Sequence, residues 1–224
     1  MHYVFHFNVV LDHLPELLDG AWLTIQLSAM TLMLGLIVAV VCAYARTTGP
    51  RPVRWIVASY IELIRNTPFL VQIFIIFFSL PAIGIRFDAN QAALAAMVAN
   101  FGAYAAEIVR AGIEAVPQGQ IEAARALALK RLDIFRYIVI FPALRTVYPA
   151  LASQFILLVL GSSVVSAISA VELTAVTNTL QSTTFRPFEF YAVATGMYLA
   201  MALGFRAVMG LIYKVVFVRG RAGA

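Results

Sequence analysis

The stretch A-W-L-T-I-Q-L-S-A-M-T-L-M-L-G-L-I-V-A-V-V-C-A-Y-A, Ala21 to Ala45, holds no Asp, Glu, Lys or Arg. At about 1.5 Å per helical residue it reaches ~37 Å, beyond the ~30 Å hydrocarbon core of a bilayer. It reads as a transmembrane helix, and it fixes the class of the chain. The 224 residues agree with that class: 62% are hydrophobic, 12% are charged and mean hydropathy is +0.89, where soluble domains carry about 25% charge. Thr24, Gln26, Ser28, Thr31 and Gly35 supply the polar and small residues that let helices meet in lipid.

Working outward, the first twenty residues hold no Lys or Arg, so the basic n-region of a secretory signal is missing. His2, His6 and His13 read as tail residues rather than metal ligands. Cys42, the single cysteine, excludes an intrachain disulfide. Beyond Ala45, the residues Arg46, Gly49, Pro50, Arg51, Pro52 and Arg54 make a basic turn. A second helix runs from near Trp55 to about Leu80. It carries Glu62 and Arg65 three apart on one face, where they are expected to pair as structural ions. Pro68 removes a backbone bond within it and frees carbonyls near Ile64, which makes either a packing kink or part of a pathway lining with Thr67 and Gln72.

Ala89 to Ala106 is a third span, alanine-rich and therefore expected at the crowded centre, and Glu107 and Arg110 repeat the three-residue pairing after it. Thr146 to Val171 is a fourth. If it runs unbroken it carries Glu172 to the outer surface as a solvated carboxylate; a break at Gly161 to Ser163 brings Glu172 near the midplane, facing substrate. Phe190 to about Tyr213 is the fifth. The loops after spans one and three, with the C-terminal tail, hold Arg46, Arg51, Arg54, Arg125, Lys130, Arg131, Arg136, Arg145, Lys214, Arg219 and Arg221; the other side holds only Arg86 and Arg186. The positive-inside rule places the N-terminus outside and the C-terminus inside. The net charge of +5 thus reports topology, not nucleic-acid binding.

Between spans three and four lies E-A-A-R-A-L-A-L-K-R-L-D-I-F-R-Y-I-V-I-F-P-A-L-R, Glu122 to Arg145. Val116 to Gly119 is a turn signal. A first short helix follows, and Asp133 is placed to cap a second that Pro142 closes. Such a basic pair either docks a soluble partner or lies in anionic headgroups.

Over roughly Gly20 to Val218 the chain resembles the polar amino acid family of ABC importer permeases. The carriers are I-E-L-I-R-N-T-P-F-L-V-Q (Ile61 to Gln72), A-E-I-V-R-A-G-I-E-A-V-P-Q-G-Q (Ala106 to Gln120), the E-A-A segment and A-V-E-L-T (Ala170 to Thr174), in that order. The resemblance implies an all-α membrane protein of the type I ABC importer permease fold. It would have five transmembrane helices over 20–218, an extracytoplasmic segment 1–19, a cytoplasmic coupling loop at about 115–145 and a tail 219–224. It implies a multi-pass subunit of the bacterial cytoplasmic membrane and a second permease, identical or homologous. It also implies an extracytoplasmic binding protein and a cytoplasmic ATPase dimer that binds the ATP-Mg, since this chain lacks a phosphate-binding G-x-x-x-x-G-K-[ST] loop.

Coupling would fall to Glu122, Ala123, Ala124, Arg125 and Ala128, and the substrate pathway to Thr67, Gln72 and Glu172. Ala128 stands where the family pattern has Gly, which favours a continued helical turn over a left-handed residue. Pro142 lies one place later than the pattern. Neither a nucleophile-base set nor a metal constellation argues for an enzyme. The alternative is an ion-coupled secondary transporter built on the same intramembrane charges.

Overall fold

A computed structural model describes residues 3–218, so the tail 219–224 with Arg219 and Arg221, and His2, lie outside the described residues. Those residues are helical with short connections. Helix α1 (Phe7–Asp12) leads into α2 (Leu14–Thr48), whose 35 residues hold the quoted stretch and start before its first apolar residue. After a turn at Gly49 and Pro50 come α3 (Arg51–Arg65) and α4 (Phe69–Phe74), the latter continued by π and 3-10 turns to Ile83. Then follow α5 (Ala89–Glu114), α6 (Gln118–Ala126), the short α7 (Arg131–Asp133) and α8 (Ile140–Gly161). A 3-10 stretch Ser162–Ile168 precedes α9 (Leu173–Thr184) and α10 (Pro187–Tyr213).

Four helical stretches are long and apolar enough to span, and the α3–α4 pair counts as a fifth only as a broken span, bent by 112°. The kink expected at Pro68 is thus a full break. Pro68 cannot donate to Ile64, and the orphaned Ile64 carbonyl is taken instead by Gln72 Nε2 at 2.7 Å. Helix α3 leaves the bundle axis with Trp55, Ile56 and Leu63 exposed.

Helix α5 is the centre, as its alanines predict. Ala92, Ala93, Ala96, Ala103, Ala105 and Ala106 are buried, and α5 packs on α2, α3 and α8. Its start is fixed by a capping box in which Asp88 Oδ1 accepts from Gln91 N at 2.8 Å. Ring contacts of Tyr44 with Phe135 and of Phe141 with Phe217 gather the basic loops at one end of the bundle. The opposite end is closed by Val10, Leu17, Leu180 and Phe190.

Two local expectations are corrected. Asp133 makes no capping bond, and Pro142 does not close a helix. A π stretch, Ile134–Val139, runs straight into α8, so that 134–168 form one span. A wider turn before a proline accommodates its missing N–H without ending the helix.

Candidate translocation and coupling sites

Glu122, Ala123, Arg125 and Ala128 are exposed on and after α6, which projects from the basic end of the bundle. Ala124 is turned the other way: it is 3% exposed and packs with Val116, Ile134, Val139 and Ala143. The outward surface continues instead through Leu127 and Leu132, 76% and 74% exposed. Ala128 does not continue the helix. Its φ is +54°, its N–H donates to the Arg125 carbonyl at 2.9 Å, and Leu129 N donates to the Ala124 carbonyl at 3.2 Å. That pair of bonds is a Schellman termination, usually built on glycine, and it satisfies two carbonyls that a continued turn would have served. The expectation from alanine's strain was wrong because two hydrogen bonds offset a penalty of about 1–2 kcal/mol.

The break at Pro68 organises a polar site. Gln72 Nε2 also donates to the Thr67 carbonyl and hydroxyl at 3.0 and 2.9 Å, while its Oε1 accepts from Asn100 Nδ2 at 2.9 Å. Thr67 and Asn100 then line a cavity of about 290 Å³ with Tyr104, Gln154, Phe69 and Phe101. Gln72 stands behind that wall, fixing two of its four polar members, Thr67 and Asn100. The predicted ion pair of Glu62 and Arg65 does not form: Glu62 accepts from Asn66 Nδ2 at 2.9 Å, and the Arg65 guanidinium lies 5.5 Å from the Tyr104 ring centre. Asn66 and Tyr104 reach the two charges first. The pairing expected lower on α5 does form, with Arg110 bridging Glu107 and Glu114.

Glu172 takes neither of the positions expected for it. The span does not break at Gly161 but tightens into the 3-10 stretch and ends at Ser169, whose φ is +60°, and the Glu172 carboxylate is fully buried as the N-cap of α9: Oε1 accepts from Ala175 N at 2.8 Å and Oε2 from the Tyr198 hydroxyl at 2.5 Å. Neighbouring helices finish the turn. Thr24 Oγ1 accepts from Leu173 N at 3.1 Å and Asn90 Oδ1 from Val171 N at 2.9 Å. Glu172 is not on the Thr67 cavity wall. Sequence reasoning missed Asn100, Tyr104 and Gln154. A polar residue inside a run expected in the crowded centre was the available signal for Asn100.

Bundled spans with a polar cavity at a helix break, and the short helix α6 between two of them at the basic end, fit a membrane transport subunit. Residues 25–218 match the family described as binding-protein-dependent transport system inner membrane component, and the chain belongs to that family. It is 31% identical over 196 residues to the probable glutamine ABC transporter permease protein GlnM of Bacillus subtilis (strain 168), covering 88% of this chain and 91% of that one. To the L-cystine transport system permease protein TcyB of the same organism it is 38% identical over 159 residues, 71% and 68% of the two chains. The crystal structure of an amino acid ABC transporter with histidines superposes with a TM-score of 0.86 at 33% identity, over 95% of this chain and 99% of that one. These relatives are transport permeases, and the ABC permease fold supports that reading over a secondary transporter.

Proposed function

We propose that the chain is the permease subunit of an ATP-driven importer for a polar amino acid. It would sit in the bacterial cytoplasmic membrane with its N-terminus outside and its basic end inside. A separate ATPase dimer carrying ATP-Mg, a second permease and an extracytoplasmic binding protein complete the machine. The observation that carries the substrate class is the cavity wall: Thr67, Asn100, Tyr104 and Gln154 offer hydroxyls and amides, and no charged residue lines it. Neutral donors and acceptors suit an uncharged polar side chain, with Arg65 beside Tyr104 as the nearby cation for a carboxylate. Glutamine, named for one relative, is of this class.

Coupling would pass through the outward face of α6 and its left-handed end, with Glu122, Ala123, Leu127 and Ala128 meeting the ATPase. Substrate release then follows from ATPase binding two permease conformations unequally. In proteoliposomes holding the permease, its ATPase and binding protein, Ala123→Trp is expected to abolish ATP-driven uptake at normal membrane levels. Uptake by the permease alone on an ion gradient would overturn the reading.

A further inference from the structure

Helix α10 carries Arg206 inside the apolar run L-A-M-A-L-G-F-R-A-V-M-G-L-I-Y, Leu199 to Tyr213. Its guanidinium is exposed and joins none of the ion pairs among the described residues. It lies eight positions before Lys214, ~12 Å along the helix from the basic end. A cation at that depth costs several kcal/mol unless an anion or water meets it.

What surrounds it is a groove of about 680 Å³ between α8 and α10, open along its length, whose lining includes Tyr148, Ser153, Ile156, Leu157 and Tyr213. No Asp or Glu lines it. Tyr148, Tyr213 and Phe217 form a cluster of tilted and edge-on rings with centres 5.4 to 5.5 Å apart, the kind of aromatic group that marks headgroup level. Tyr148 Oη donates to the Met209 carbonyl at 2.8 Å, which holds this end of the groove.

We propose that this groove binds an anionic phospholipid of the leaflet at the basic end, with the phosphate on Arg206 and an acyl chain along Ile156 and Leu157. The occupant must be anionic, must enter sideways from the bilayer, and must match a polar mouth and an apolar floor. Basic pockets between spans are suited to such headgroups. A zwitterionic amino acid would find a partner for its carboxylate and none for its ammonium. The proposal needs only that the chain spans a membrane, so its failure leaves the transport reading intact.

The test is native mass spectrometry of the purified transporter titrated with phosphatidylglycerol or with phosphatidylcholine of identical chains. One tightly held phosphatidylglycerol per copy is expected. Arg206→Gln should weaken it about fivefold, the factor for ~1 kcal/mol per basic residue, while Arg206→Lys retains most of it. Arg54→Gln, elsewhere at the basic end, should leave it unchanged. Equal retention in Arg206→Gln, or equal affinity for phosphatidylcholine, overturns the proposal. So does displacement by millimolar inorganic phosphate, which would make the site a bare anion site. Disulfide formation between copies by Ser153→Cys in a Cys42→Ala background also overturns it, since a second chain then covers the groove.

Discussion

Helices α5 and α10 are both apolar enough to span, yet eleven residues of α5 are buried within the chain and only Glu189, Phe190 and Ala194 of α10 are. Residue size separates them. A Cβ placed on Gly112 of α5 would fall 2.5 Å from Val147 Cγ1, and one on Gly102 would fall 2.8 Å from Val38 Cγ1. The three glycines of α10, Gly196, Gly204 and Gly210, have open space at the same position. In lipid there is no hydrophobic drive between spans, so close backbone approach and polar bonds decide which helices pack. Helix α5 uses the first. Helix α10 is fastened by the second: Tyr198 to Glu172, Tyr148 to the Met209 carbonyl, and Glu189 to the Tyr3 hydroxyl and His6 N–H.

The sharpest way to break this contrast is to enlarge the α5 contact. Gly112→Leu has no route to relax, because the Ala143 carbonyl stands 3.0 Å from the new Cβ on the side next to Val147. Overpacking of that kind is expected to cost about 3 kcal/mol, visible as a large fall in melting temperature of the detergent-purified chain. An unchanged melting temperature would mean that α5 and α8 are not in close contact. On α10 the matching test is Tyr198→Phe. Deleting the hydroxyl leaves Glu172, fully buried, without its side-chain donor, which should cost about 2 kcal/mol. A loss well below that of Gly112→Leu, measured in the same assay, supports the division into packed and hydrogen-bonded spans.

The same division explains what could be read from sequence. Spans over α2, α5, α8 and α10 were legible because charge-free length needs no neighbours, and α5 was placed at the centre from its alanines alone. The break at Pro68 was legible down to the freed Ile64 carbonyl, because the missing donor is a local fact. Its 112° bend was not, since that angle depends on how α3 packs against α2 and α5. The partners of Glu62, Arg65 and Glu172 also escaped. For Arg65 and Glu172 the competing ring or donor, Tyr104 or Tyr198, comes from another helix, which spacing along one helix does not encode; for Glu62 it is Asn66, four residues on at the end of α3, a neighbour the spacing did offer. At the sites, Thr67 was found beside its proline, whereas Asn100 and Gln154 reach the cavity from other helices.

A smaller effect tests the loop that follows the C-terminal end of α5. The Schellman turn keeps Ala128 at positive φ, so Ala128→Gly should retain both hydrogen bonds and relieve strain. A gain of about 1 kcal/mol is expected in the same melting assay, with ATP-driven uptake unimpaired. A loss of stability would show that the methyl group packs against something that compensates its backbone strain.

The smallest effect is the most discriminating for α10. Gly204→Ala adds a methyl group into open space on a helix whose backbone amides are already paired in the bilayer, so the helix-propensity gain seen in water largely disappears. The isolated chain should therefore melt within about 0.5 kcal/mol of the parent. The assembled transporter is where the comparison with α5 sharpens. If Gly204→Ala leaves the isolated chain alone but loosens the complex, the open face of α10 is a close-packed surface whose partner is another chain, and α10 resembles α5 after all. If both are indifferent, that face belongs to lipid, and the polar fastenings at Tyr198, Tyr148 and Glu189 are the main attachment of α10.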